Sequence, residues 1–381
     1  MTGVTISGVG ITPFESDAER SALELATAAS EDALDDAACS LEAVDSVHVG
    51  NVLTEALDVQ GGLANAFVSA VGLEGVRADR IENTSASGAS ATHRGVEAVA
   101  SGASDVAVVV GVEKMSDADT STVTDAISKL THGREYVQGI TLPSFGGLAA
   151  GAYLDRYDAP REALAEVAVK NHENAVDNDI AQFQKEVSVE DALDSPVVAD
   201  PLRLYDCCPM TDGAAAVVLE RESDAEGVHV RSIGSATGTH AVAERPDPIE
   251  IESVSRASER TFADANLSRN DVDVACIHDA FTVLELLELE EIGFFERGTA
   301  WEATMRGETA RDGAFPVNPG GGLKARGHPL GATGLSQVVE LVWQLRGDLR
   351  GDRQVAGAET GFAVNVAGFG NNSVCTLLEA P

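Results

Sequence analysis

Apolar residues along the chain follow two different spacings. Short β-rich runs at residues 4–9, 44–49 and 106–112 predict strands, and apolar positions three or four residues apart predict helices at 21–37, 63–71 and 89–100. The run at 106–112 contains five valines in seven residues with no polar alternation, as in a central strand covered on both faces. Helices alternating with strands are typical of an α/β fold.

The middle of the chain is less regular. Residues 117–199 combine a polar stretch, a predicted loop at 142–147 and two predicted helices at 149–156 and 161–174. We interpret this part as an inserted subdomain lying over the sheet. A strand at 214–219 and a charged link at 220–227 follow it.

The second half of the chain repeats the first. Residues 36–45 align with 264–273 at Asp, Ala, Ser, Val and Asp, and an apolar strand follows in each case. We therefore predict a duplicated α/β unit with three parts: residues 1–116 plus 200–222, the insertion 117–199, and residues 227–381. Two such halves packed back to back would share one interface, where sites commonly form.

The composition narrows the range of partners. The 381 residues carry a formal net charge of −36, from 62 acidic and 26 basic side chains. This charge argues against nucleic acid and anionic membranes as partners. Only five of the basic residues are lysine, and an acidic, lysine-poor chain is typical of proteins from halophilic organisms. At about 1 M salt the screening length falls to about 3 Å, so a polyanionic ligand could still approach.

No targeting or membrane segment is visible. The first thirteen residues lack the pattern of a signal peptide, and no apolar run approaches the roughly 20 residues of a membrane span. Five scattered cysteines without CxxC spacing predict neither a disulfide framework nor a metal site. We expect a cytoplasmic protein that uses no metal.

A glycine-rich turn near the C-terminus contains one histidine, His328. Residues 327–334 read GHPLGATG, three glycines precede them at 320–322, and an amphipathic helix follows. A histidine on such a turn suits a catalytic base, because the backbone can approach a substrate closely and imidazole titrates near neutral pH. A histidine that only hydrogen-bonds within the turn is the alternative.

The turn resembles the histidine loop of the thiolase superfamily, and further segments agree with it in order. The matching segments are ENTSASG at 82–88, GVEKMS at 111–116, PMTDGAA at 209–215 and HDAF at 278–281. The resemblance covers nearly the whole chain. It implies the five-layered αβαβα thiolase fold, with two βαβαβαββ halves and a loop insertion.

The resemblance also implies site residues. Ser85 stands where the family has its nucleophilic cysteine, and a hydroxyl needs an adjacent base to react. A helix N-terminus supplies only about 0.3–2 kcal/mol toward its ionisation. We therefore predict that His328 deprotonates Ser85. His278 would donate to the thioester oxygen, with the backbone of Ser85, Val366 and Gly368 completing the oxyanion contacts.

One expected group is absent. Where the family carries a second cysteine or histidine that moves the α-proton, this chain has Val364, and Cys375 lies eleven residues further on. We infer a Ser-His-His site in which His278 serves as both oxyanion donor and acid/base. A degenerate protein without catalysis is the alternative.

Four more residues are candidates for substrate contacts. Phe145 and Phe281 could line an acyl pocket or belong to the core. Lys324 and Arg326 could attract coenzyme A phosphates or be solvated loop charges.

Asp279 is a candidate for a different role. It could orient His278 or cap the helix that follows it.

The resemblance predicts a β-ketothiolase, an acetyl-CoA C-acyltransferase acting on short-chain acyl-CoA and 3-ketoacyl-CoA through acyl-Ser85. Its substrates are coenzyme A thioesters, and no metal or redox cofactor is implied. A homodimer or tetramer is usual in the family. Some prokaryotic members work with a small OB-fold protein carrying a zinc ribbon, so the resemblance implies such a protein as a candidate partner. The rival hypothesis is an acyl-CoA-binding scaffold subunit.

Overall fold

A computed structural model describes residues 2–57, 61–223 and 225–381. Its strands are β1 Val4–Ile11, β2 Ser46–Gly50, β3 Arg77–Ile81, β4 Val106–Glu113, β5 Val197–Ala199, β6 Leu202–Arg203, β7 Gly213–Arg221, β8 Val228–Thr237, β9 Val274–Cys276, β10 Thr360–Ala367 and β11 Asn372–Glu379.

Thirteen α-helices lie in the described part of the chain. They are α1 Ala22–Asp36, α2 Thr54–Leu57, α3 Leu63–Val71, α4 Ser87–Ala100, α5 Thr120–Ser128, α6 Gly133–Tyr136, α7 Leu142–Tyr157, α8 Glu162–Ala175, α9 Val189–Asp194, α10 Glu252–Ala265, α11 Thr282–Ile292, α12 Ala300–Met305 and α13 Thr333–Arg346. In that part, no helix is long and apolar enough to cross a membrane.

Nine strands form one mixed sheet in the order β3-β2-β4-β7-β1-β8-β11-β10-β9. The two halves meet where β1 pairs antiparallel with β8, with Val4 opposite Val230. Outward from this seam, β7, β4 and β2 in one half correspond to β11, β10 and β9 in the other. A single bridge between Ala275 and Val317 stands where the first half has β3. The predicted duplication is therefore visible in the strand order.

The two halves of the sheet form two layers, and the helices outside and between them bring the total to five. α1 packs on β1, β7 and β4, and α10 packs on β8 and β11. Between the halves lie α4 and α13, which contact each other, and α13 touches strands of both halves. Small residues let α4 approach closely: a β-carbon on Gly95 would lie 2.6 Å from the Val109 side chain. The two helices that precede β4 and β10 thus form the central layer.

The predicted loop at 142–147 is wrong, because these residues form the start of α7. Thr141 and Ser144 form a capping box at its N-terminus, with serine in the place where glutamate or glutamine is usual. Its two glycines serve close packing. A β-carbon on Gly146 would lie 2.9 Å from the Phe281 ring, and one on Gly147 would lie 2.6 Å from a backbone oxygen of β5.

Glu113 joins the two halves at the end of β4. Its buried carboxylate accepts hydrogen bonds from the backbone N–H of Val52 (3.0 Å), Leu53 (2.9 Å) and Gly331 (3.0 Å). The first two donors belong to the N-terminal half, and the third lies in the turn that carries His328. One side chain therefore holds that turn against the end of the sheet.

We predict that Glu113→Ala lowers the free energy of unfolding by about 2–4 kcal/mol, because three buried N–H groups lose their acceptor. Urea denaturation measures the change. The matched control is Glu97→Ala, which removes a half-exposed partner of Arg94 and should change stability by less than about 0.5 kcal/mol. Equal midpoints for the two variants would contradict the role given to Glu113.

Candidate active site

Ser85 lies in a tight turn between β3 and α4. The preceding residue, Thr84, has a φ of +45°, which is unusual for a residue that is not glycine. Hydrogen bonds hold the turn: the Thr84 N–H donates to Glu82 Oε1 (2.6 Å), and the Asn83 N–H donates to Ser87 Oγ (2.8 Å). Ser85 is 3% exposed, and its hydroxyl has no hydrogen-bond partner among the described residues.

The histidine turn packs directly on this region. A β-carbon on Gly88 would lie 2.6 Å from the Gly331 carbonyl oxygen, and one on Gly111 would lie 2.3 Å from the same oxygen. Only glycine therefore fits at both positions. The contact brings the turn of His328 against the helix that begins two residues after Ser85.

The hydrogen bonds of His328 define which ring nitrogen carries its proton. Nδ1 lies 2.7 Å from Thr333 Oγ1, and that hydroxyl oxygen lies 2.9 Å from the Pro329 carbonyl oxygen. Two oxygens at this distance need a proton between them, so the hydroxyl donates to Pro329. It then accepts from Nδ1–H. The lone pair of His328 is therefore on Nε2, which has no partner among the described residues.

Burial keeps His328 neutral. Removal from water, with a smaller contribution from Arg326, lowers the pKa of His328 to about 3. A neutral imidazole with a free Nε2 lone pair can accept a proton. The backbone that carries this imidazole is fixed by a hydrogen bond from the His328 N–H to Thr211 Oγ1 (2.9 Å).

His278 follows β9 and faces His328. The ring centroids are 5.1 Å apart, and the ring planes are at 85°. The His278 backbone N–H donates to Glu288 Oε2 (2.9 Å), and its Nδ1 lies 2.9 Å from Asn365 Nδ2. Burial, and then the nearby His328, lowers the pKa of His278 well below its usual value. The site thus contains two neutral histidines at right angles.

Asp279 makes no hydrogen bond to either imidazole. Its carboxylate accepts from the backbone N–H of Leu323 (2.7 Å) and Lys324 (3.1 Å), and from Asn171 Nδ2 (2.8 Å). It also does not cap α11, so neither of the two predicted roles describes it. Burial, and then Glu285, raises the pKa of Asp279 to about 6. It holds the π-helical turn Gly322–Arg326 that leads to His328.

β10 contributes the C-terminal side of the site. Val364 is buried in the apolar core, Val366 pairs with Ser373 in β11, and Gly368 follows the strand with a φ of +57°. Cys375 is distant in sequence, but the hairpin places it directly opposite Val364. Burial, and then Glu288, raises the pKa of Cys375 well above its usual value, so this thiol is a poor proton donor or acceptor.

The four candidate substrate contacts are buried. Phe145 and Phe281 are each 6% exposed and belong to the apolar core. Lys324 Nζ donates to the Cys207 carbonyl oxygen (2.5 Å), and Arg326 donates to Ser336 through both Nη atoms. Each cation is 2% exposed, so the alternative of solvated loop charges is wrong. Contact of these four residues with coenzyme A thioesters stays a prediction.

The structure identifies two polar residues that motif reasoning passed over. Thr333 orients His328, and Asn365 contacts His278. The available signal was an asparagine within the otherwise apolar run of β10, because a buried polar residue needs a partner. Thr333 carried no comparable signal, since threonine is common at the start of a helix.

The chain is similar to known proteins over its whole length. Residues 4–223 match the thiolase N-terminal domain, and residues 234–380 match the thiolase C-terminal domain-like family. An acetyl-CoA acetyltransferase of Methanothermobacter thermautotrophicus is 40% identical, covering 98% of both chains. Human sterol carrier protein 2 is 31% identical, covering 98% of this chain and 71% of that one.

Solved structures share the fold. The structure titled "Ltp2-ChsH2(DUF35) aldolase" superposes with a TM-score of 0.86 at 22% identity, covering 100% of this chain and 98% of that chain. At this identity the likeness supports the fold alone.

We predict that kcat/KM stays flat as the pH falls from 8 to about 5, because His328 remains neutral far below 6.5. A pH profile, corrected for the folded fraction, measures this. The unfolded chain binds a proton at His328 between pH 6.5 and about 3, whereas the folded chain keeps this histidine neutral there, so stability falls as pH falls through that window. A kcat/KM midpoint near 6.5 would contradict the assignment.

Proposed function

Because this chain belongs to the thiolase family of acyltransferases, we propose that it is a β-ketothiolase, an acetyl-CoA C-acyltransferase that condenses or cleaves short-chain acyl-CoA through acyl-Ser85. The observation that supports this most is the pair of buried neutral histidines, one of them on a turn that packs against the helix beginning two residues after Ser85. Their arrangement offers one proton acceptor and one further imidazole within a single site.

In the first half-reaction, Ser85 Oγ attacks the thioester carbonyl while its proton passes to His328 Nε2. The thioester oxygen gains negative charge and takes hydrogen bonds from His278 and from the backbone N–H of Ser85, as an oxyanion hole does. The C–S bond then breaks, and the leaving thiolate takes the proton back from His328. The products are acyl-Ser85 and free coenzyme A.

In the second half-reaction, a base removes the α-proton of a second acyl-CoA, and the carbanion attacks the acyl-Ser85 carbonyl. Ser85 Oγ leaves with the proton, and a 3-ketoacyl-CoA is released. With Val364 unable to move a proton, we assign this step also to His328 Nε2, which has the free lone pair. This revises the double role that the sequence suggested for His278.

A non-catalytic acyl-CoA-binding subunit is the second candidate. Two features favour it: the Ser85 hydroxyl has no hydrogen-bond partner in the described part of the chain, and Val364 is apolar. The solved structure titled "Ltp2-ChsH2(DUF35) aldolase" names two proteins together, which is consistent with a partner protein for this fold.

The proposed acyltransferase also includes three further properties. They are a small OB-fold partner with a zinc ribbon, assembly as a homodimer or tetramer, and a cytoplasmic location.

We predict that incubation with acetyl-CoA adds one acetyl group to the chain, detected by intact mass, and that Ser85→Ala abolishes the adduct. Turnover of acetoacetyl-CoA should fall by at least about 1,000-fold in that variant, because the nucleophile is lost. Ser85→Cys should preserve or raise activity, since a thiol is the stronger nucleophile.

The matched control is Ser101→Ala, at the exposed C-terminal end of the same helix, which should form the adduct normally. Normal turnover by Ser85→Ala would refute the acyl-Ser85 scheme. Acyl-CoA binding without any adduct or turnover in the unmodified chain would support the scaffold instead.

We also propose a halophilic origin and predict that the melting temperature rises by about 10 °C or more between 0.1 and 3 M KCl. With a formal net charge of −36, self-repulsion opposes folding at low salt, and molar salt screens it. Differential scanning fluorimetry measures the shift. The same series with sucrose in place of salt separates screening from general stabilisation, and a flat salt response would reject the prediction.

A further inference from the structure

We infer that Asn365 is a positioning residue that holds the proton of His278 on Nε2 and so divides the work between the two histidines. This inference deepens the proposed function and rests on it for its catalytic consequence. The sequence motifs did not assign any role to Asn365. Its side chain lies 2.9 Å from His278 Nδ1, and both residues are 1% exposed.

The surroundings of the amide decide which of its ends faces the imidazole. The Asn365 oxygen lies next to the starts of both central helices: a β-carbon on Gly334 would meet that oxygen at 2.5 Å and the Ala89 backbone nitrogen at 2.4 Å. Helix N-termini carry partial positive charge, which favours an oxygen there over an N–H group. The amide nitrogen therefore faces His278 and donates to Nδ1.

A donated hydrogen bond at Nδ1 requires a lone pair on that atom, so the proton of neutral His278 lies on Nε2. No carboxylate among the described residues bonds to either ring nitrogen of His278. Glu288 accepts a hydrogen bond from the backbone N–H of His278, not from its ring, and the His328 ring packs edge to face against the His278 ring. Asn365 is thus the group that selects this tautomer.

The two histidines then have opposite tautomers. Thr333 leaves the lone pair of His328 on Nε2, whereas Asn365 leaves a proton on Nε2 of His278. A reaction that removes a proton and creates an oxyanion needs one of each. If His278 carried its proton on Nδ1, its Nε2 lone pair would repel the developing oxyanion.

A purely structural role explains the residue poorly. The neighbouring positions of the strand, Val364 and Val366, are apolar core residues. The Asn365 oxygen is buried and has no hydrogen-bond partner among residues 2–57, 61–223 and 225–381, which is a cost that a valine or leucine at this position would avoid. The hydrogen bond from the amide nitrogen to His278 Nδ1 explains why an asparagine stands at this position.

Histidine tautomers can be read directly by NMR on the whole chain labelled with ¹⁵N-histidine, without substrate. The His278 resonances are assigned by their absence in His278→Gln. We expect the unmodified protein to show Nε2 protonated and Nδ1 unprotonated. In Asn365→Asp, whose carboxylate can only accept, Nδ1 should become protonated. A protonated Nδ1 in the unmodified protein, or no change in Asn365→Asp, would overturn the inference.

Turnover supplies a second measurement, in which kcat and its pH dependence should change in a way that a structural role would not produce. Asn365→Leu keeps the shape and removes the donor, so kcat should fall by about tenfold or more while KM changes less than about threefold. In Asn365→Asp the new carboxylate raises the pKa of His278. Turnover should then fall as pH rises through that pKa, because the remaining proton stays on Nδ1 and Nε2 loses its own.

The outcomes separate this inference from the proposed function. A chain that shows the tautomer change but never turns over acetoacetyl-CoA rejects the proposed function and retains the inference. Normal acyl-Ser85 formation with wild-type kcat and a flat pH profile in both Asn365 variants rejects the inference and retains the function. If either variant does not fold, the spectrum of the unmodified protein still decides the tautomer.

Discussion

The site depends on how closely the backbone of the histidine turn approaches the N-terminal half. The Gly331 carbonyl oxygen lies where side chains at Gly88 and Gly111 would otherwise stand. Glu113 fixes this approach by accepting hydrogen bonds from N–H groups on both sides of the junction. Without that contact, the helix start beside Ser85 and the loop of His328 would belong to two separate surfaces.

Hydrogen bonds between uncharged groups set the chemistry of the two histidines. Thr333 and Asn365 bond to their Nδ1 atoms, where the catalytic triads of serine hydrolases place a carboxylate beside the base. A neutral partner fixes the orientation and the tautomer, but it does not stabilise an imidazolium. In the proposed first half-reaction, a protonated His328 would therefore have to be stabilised by the charges that form with it on the thioester oxygen and the leaving thiolate. Such a site favours proton transfer coupled to substrate over a permanently charged pair.

Buried charges lie beneath the site and hold the backbone that shapes it. Asp279 accepts from the turn Gly322–Arg326, and a β-carbon on Gly322 would lie 2.4 Å from its carboxylate. Lys170 pairs with Glu285, and Asn318 bonds to both Glu285 and the backbone of Ile277. These groups connect α8, α11 and the segment before the histidine turn. They position backbone, whereas among the described residues the ring nitrogens of the two histidines bond only to the neutral side chains of Thr333 and Asn365.

The sequence alone determined the strand and helix pattern and the duplication, because hydrophobic periodicity and glycine-rich turns are local properties. Through its resemblance to the thiolase superfamily it also indicated the segments of Ser85, His278 and His328. It did not reveal the start of α7, where glycines that suggested a loop serve close packing. Only the tertiary structure decided that Cys375 lies opposite Val364, that Lys324 and Arg326 are buried, and which partner each histidine has. These depend on contacts between residues far apart in the chain, and burial and hydrogen bonding arise only once the two halves have packed together.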